Sequence, residues 1–197
     1  MNKKNITKFL QSFVAIPLFA ATMPFAGVST PVTTVVAQNN GVIEASLITK
    51  EEAEIDTKNA QAIDDFLTKR KSVLAGYGKK FVAEARKNDI DPFLLVAISG
   101  RETTFYRPES QCKSERGANN PFGYGSCRIS FDSIDEAIEK VTASIAGKNP
   151  KTSHHYEGKT TYQILRKYNT VIKRYPEEVI AIMKMISPDD SKYLAMK

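Results

Sequence analysis

Residues 93–98 read Phe-Leu-Leu-Val-Ala-Ile, six apolar side chains in a row inside the longer stretch DPFLLVAISGRETTF. A helix that is apolar on nearly every side has no face to offer water, so the rest of the chain must pack around it. Asp91 is placed to cap such a helix, and Pro92 to occupy its first position. The spacing therefore predicts a central helix that carries a lone carboxylate, Glu102, near its far end.

The neighbouring segments supply partners with the same period. Ile63, Phe66, Leu67, Val73 and Leu74 fall near one face of a helix that begins about Asn59, and Gly76-Tyr77-Gly78 breaks it. A second helix carries Phe81, Val82 and Ala85. Further on, Ser133 and Glu136 form a capping-box pattern ahead of Ile134, Ala137, Ile138, Val141 and Ile145. TYQILRKYN and PEEVIAIMKMIS complete the helices, the last opened by Pro176. Strands are scarce, so the fold class is mainly α.

Between these helices lies YRPESQCKSERGANNPFGYGSCRIS, rich in Gly, Asn, Ser and Pro. It reads as a long loop, with room for a short β-hairpin. A long loop in a compact domain is usually functional or disordered. Its two cysteines, Cys112 and Cys127, are the only ones in the chain. In an exported protein an even pair reads as one disulfide, which would keep this loop ordered. Closing so short a loop contributes on the order of 3 kcal/mol in the chain-entropy picture.

Export is expected from the first segment. Lys3, Lys4 and Lys8 precede the apolar run FVAIPLFAATMPFAGV, whose length and prolines suit a signal peptide with a small-residue cleavage site after Ala37, the alternative being an uncleaved N-terminal anchor. The expected organisation is a signal segment over 1–37, a polar linker over 38–58, one domain over 59–187 and a tail over 188–197. Removing 1–37, with three lysines and no acid, lowers the net charge from +6 to +3. A mildly basic exported chain suits an anionic polymer such as a cell wall. There is no Lys/Arg run or motif for nucleic acid. His154 and His155 read as surface residues, and no spacing suggests a metal site. No organic cofactor is implied.

Glu102 is the residue with chemistry to offer. On a helix it shares a face with Leu95 and Ile98, which predicts a shielded carboxylate. Burial disfavours charge on a carboxyl group, and a shielded glutamic acid can donate a proton near neutral pH. Cleavage of a glycosidic bond needs such a donor for the leaving oxygen. The competing reading is a helix end in solvent, or an ion pair with Arg101 or Arg107.

AGYGKKFVAEARKNDIDPFLLVAISGRETTF, NNPFGYG, FDSIDEAI and YQILRKYN, in this order, resemble the lysozyme-like superfamily. More narrowly they resemble the endo-β-N-acetylglucosaminidase domains of bacterial autolysins. The resemblance spans about residues 75–169. It implies a lysozyme-like fold, with Glu102 as general acid. It also implies Asn120 and Phe122-Gly123 as the segment lining the sugar groove, and Tyr168 as a late aromatic facing it. Tyr124 joins them by adjacency. An Asn side chain can donate to and accept from a sugar amide, and a flat ring offers an apolar face. The plainer alternative makes NNPFGYG a tight turn with Phe122 plugging the core.

Arg101 and Thr103 beside the glutamate depart from the family pattern. A second carboxylate is not obvious: Glu109 and Glu115 read as solvated loop charges, and Asp132 opens the next helix. The expected protein is a monomeric, secreted or envelope glycoside hydrolase of peptidoglycan glycan strands. It needs neither nucleic acid nor stable membrane insertion once the signal is removed. The alternatives are a lytic transglycosylase, in which Glu102 is acid and then base, and a non-catalytic wall-binding protein of the same fold.

Overall fold

Leu94 to Ser99 are all buried, as an all-round apolar helix requires. The computed structural model describes residues 36–112, 117–187 and 189, with side chains from Thr49 onward. Most of the expected signal segment, Glu115, and the tail except Asp189 lie outside the described residues. The chain divides into two compact units, 1–40 and 41–197, and the core and site belong to the second.

Among the described residues seven α-helices follow in order: α1 Val36–Lys69, α2 Gly78–Asn88, α3 Leu94–Thr103, α4 Ile134–Ile145, α5 Ser153–Tyr156, α6 Thr161–Tyr168 and α7 Tyr175–Ile186. A 3₁₀ turn, Pro108–Ser110, sits in the long loop. The fold is mainly α. No strand occurs among the described residues, so the short hairpin allowed by the sequence is not formed there. No helix among them is long and apolar enough to cross a membrane.

α3 packs against α7, α2 against α4, and α6 against α7. The interior holds Leu67, Phe81, Phe93, Leu94, Ile98, Ile138, Ile145 and Tyr175. Each large apolar side chain removed from water contributes about 1.5–3 kcal/mol. α3 starts at Leu94, slightly later than expected. Asp91 organises the turn before it, its Oδ1 accepting from Phe93 N at 2.8 Å.

The segment 38–58, expected as a linker, is helical and continuous with α1. Arg86 on α2 explains how its charged part is held: Nε donates to Asp56 at 2.6 Å and Nη1 to Glu52 at 3.2 Å. α1 ends at Lys69, and Val73 beyond it is exposed instead of joining the core. The Gly76-Tyr77-Gly78 break is tied to α1 by Asp64, whose Oδ1 accepts from Gly76 N and Gly78 N at 2.8 Å each. Any Cβ on Gly78 would stand 2.2 Å from Ala60 O, so only glycine allows this approach.

α4 opens as its sequence predicts. Ser133 Oγ accepts from Glu136 N at 3.1 Å, while the Glu136 carboxylate accepts from Asp132 N, one residue before the cap. α6 has a complete capping box from Thr160 and Gln163, which the sequence reading did not single out. α7 starts with Pro176 in its first turn, as expected.

Candidate functional site

Glu102 stands in the last turn of α3, one residue before its end. Its side chain is exposed, which corrects the expectation of a shielded carboxylate. The apolar face it was assigned to turns inward at Leu95 and Ile98, and the helix reaches the surface by the next turn. Glu102 is nevertheless fixed. Tyr175 Oη donates to its Oε1 at 2.7 Å. Tyr175 is fully buried at the first residue of α7. Burial, and then the adjacent Glu102 charge, hold that phenol far above the ordinary tyrosine range, so it keeps its proton and acts as the donor. Arg101, the neighbour of Glu102, binds Glu178 at 2.7 Å and lies 6.0 Å from the centre of the Tyr175 ring, its pKa raised first by Glu178 and to a smaller extent by Glu102.

Immediately after α3 the backbone runs left-handed for three residues: Thr104 (φ 52°), Phe105 (60°) and Tyr106 (52°). Such a run without glycine is uncommon and has to be held by its surroundings. Phe105 N donates to Ser99 O at 3.0 Å, and Phe105 O accepts from the Ser72 hydroxyl. Thr103, buried, accepts from Tyr106 N at 3.1 Å and donates to Pro121 O at 2.6 Å. That last bond bolts the long loop onto the end of α3.

The loop is built from the inside. Asn120 is fully buried. Its Nδ2 donates to Tyr124 O and Ile129 O at 2.8 Å each, and its Oδ1 accepts from Tyr124 N at 2.9 Å. Phe122 is also fully buried and meets Phe81 edge-on, with ring centroids 6.3 Å apart. Both side chains were expected to hold sugars; the structure turns them away from solvent, where they cannot. The plainer reading of NNPFGYG, a turn with Phe122 in the core, describes them. Cys112 and Cys127 form the expected disulfide, with Cα atoms 5.8 Å apart.

Gly123 brings this loop against the carboxylate. It adopts φ +61°, and a Cβ there would stand 2.9 Å from Glu102 Oε2. Glycine satisfies both demands at once.

Tyr168 and Tyr124 flank the same place. Both are half-buried. Tyr168 Oη donates to Phe122 O at 2.7 Å, its ring stacks parallel to Tyr175 at 6.2 Å, and Tyr124 lies 6.4 Å away. Tyr156 is buried nearby, its phenol pushed up to about 12 by burial and then by Tyr124. The structure thus brings Glu102, Tyr124 and Tyr168 together, with Asn120 and Phe122 as their scaffold. Tyr175 and Thr103, which sequence reasoning did not assign, complete the arrangement. Tyr175 is 73 residues from Glu102 in the chain, and its place just before Pro176 was the only signal.

The other candidates lie apart in function. Glu109 is exposed and pairs with Arg107 at 2.6 Å, and Asp132 is exposed ahead of α4. The rings of His154 and His155 lie 3.8 Å apart on α5. Among the described residues, no group of three His, Cys, Asp or Glu side chains is placed to hold a metal ion. No protein-family model, curated protein or solved structure matches the chain.

Proposed function

We propose that this chain is a glycoside hydrolase of the endo-N-acetylglucosaminidase type, acting on β-1,4 bonds of peptidoglycan glycan strands with Glu102 as general acid. The observation that carries the reading is the Tyr175–Glu102 hydrogen bond of 2.7 Å behind an otherwise open carboxylate. Oε1 accepts from that phenol, which leaves Oε2, on the Gly123 side, as the oxygen that would deliver a proton to the leaving glycosidic oxygen as the bond breaks. Tyr124 and Tyr168 offer ring surface to the flanking sugars. Asn120, Phe122 and the disulfide fix the loop in advance, which lowers the ordering needed on binding.

A second reading, the lytic transglycosylase, has support of its own. Glu109 and Glu178, carboxylates of the adjoining elements, are paired with Arg107 and Arg101. A single glutamate acting as acid and then base would need no further carboxylate, with the sugar's own hydroxyl as nucleophile.

Incubation of the protein and its Glu102→Gln variant with purified peptidoglycan, read by mass spectrometry, tests both. Cleavage should fall by about a hundredfold or more in the variant, the scale of a lost general acid. Gln keeps an acceptor for Tyr175, so stability should stay within about 1 kcal/mol. Reducing ends support the hydrolase, and anhydro ends the transglycosylase. Binding without cleavage by both proteins would leave a wall-binding protein.

A further inference from the structure

Residues 148–174 contain seven lysines and arginines and one acid, Glu157, a surplus of six that equals the net charge of the whole chain. Everything else balances to zero. Lys148, Lys151, Lys159, Lys167, Lys173 and Arg174 are exposed. None of them forms a salt bridge with a described carboxylate, as Lys80, Arg86, Lys87, Arg101, Arg107 and Lys140 do elsewhere. Glu177, just beyond the segment, is held below the ordinary carboxylate range first by its own backbone and Tyr162 and only in smaller part by Arg166 and Arg174.

The fold concentrates this charge. α5 packs on α4 and α6. Gly147 approaches Glu157 so closely that a Cβ would lie 2.6 Å from its backbone, so the segments before and after α5 meet there. Lys167 on α6 is near enough to α5 to help depress the His155 imidazole, after burial and His154. The same segment supplies Tyr156 and Tyr168, so the basic surface borders the Glu102 site.

We propose that α5, α6 and their flanking loops form a docking surface for a linear phosphodiester polymer that carries no bases. This rests on charge placement and not on the chemistry of Glu102. Lysine ammonium groups on flexible stems are point charges without fixed geometry, which suits repeated phosphates better than one carboxylate. The Arg166 guanidinium is already engaged by Lys173 O at 3.0 Å. Single-stranded nucleic acid is disfavoured because its binding relies on stacking platforms. Tyr162 is the only exposed tyrosine of the stretch, and its hydroxyl is held by Glu177 at 3.0 Å.

The test is a fluorescence titration of the full chain with a short linear poly(glycerol phosphate), with poly(dT) and a neutral chitin oligosaccharide alongside. The polymer should bind, and raising salt from about 50 to 200 mM should weaken it roughly tenfold or more. The K148Q/K151Q/K159Q/K167Q variant should lose roughly tenfold in affinity, with a flatter salt slope. A charge-matched K50Q/K58Q/K69Q/K79Q variant, made at exposed lysines that form no ion pair with a described residue, should bind as the parent does, and both should unfold at the parent temperature. Equal losses in the two variants, no loss in either, or tighter binding of poly(dT) would overturn the assignment. None of these outcomes depends on whether Glu102 cleaves anything.

Discussion

The two sides of Glu102 are made in opposite ways. On the loop side, residues 119–127 direct their distinctive side chains inward: Asn120 to three backbone groups, Phe122 to the core, and Cys127 to Cys112. What this side offers the carboxylate is backbone, at Gly123. On the helical side, α6 and α7 offer side chains, the hydroxyl of Tyr175 and the ring of Tyr168, with basic residues around them. A motif that looks like a binding signature can therefore mainly specify shape, leaving one ring, Tyr124, at the surface, while the hydroxyl that holds Glu102 and the second ring come from helices whose sequence looks ordinary.

This contrast can be broken in order of expected effect. Phe122→Ala removes a fully buried ring and should cost about 3–5 kcal/mol in urea unfolding. If Phe122 instead gripped sugar, the variant would raise KM and leave unfolding unchanged. Asn120→Ala orphans Tyr124 N and two carbonyls, and should cost about 2–3 kcal/mol by the same measurement. Tyr175→Phe acts on the other side: it keeps the packing, stays within about 1.5 kcal/mol of the parent, and should lower kcat for glycan cleavage about tenfold with KM little changed.

The two sides also separate by pH. Tyr156 is pushed up to about 12, and Tyr168 and Tyr175 are raised as well. The folded state therefore holds these phenolic protons more tightly than the unfolded chain does. Their stabilisation is full below the ordinary tyrosine value of about 10 and is lost as pH rises through the raised values. Urea midpoints should fall from about pH 10 to 12, and Tyr156→Phe should flatten that slope. The Asn120 hydrogen bonds of the loop do not titrate and should add nothing to it.

The helical frame was legible where sequence signals are local. The apolar run of α3, the Ser133 cap and Pro176 each fix an element from a few adjacent residues. The helical character of 38–58 was not legible, because the clamp that holds it, Arg86 on Asp56 and Glu52, joins residues 30 and 34 apart. The same limit applies to the site. Glu102 and the tyrosines could be picked out by type. The burial of Asn120 could not, since a polar side chain satisfied by backbone looks the same in sequence as one facing solvent. Tyr175 escaped because its partner is set by the packing of α3 on α7.

On an uninterrupted helix, residues 105 and 106 would lie one turn beyond Glu102 and crowd it. Here those positions are a phenylalanine and a tyrosine, two of the bulkiest side chains available. The left-handed run sends them elsewhere: Phe105 meets Phe66 edge-on at 5.2 Å and Tyr106 is buried. Headroom above the carboxylate is thus created by three backbone angles. A substitution that let the helix run on would roof over Glu102 without altering any group that touches it.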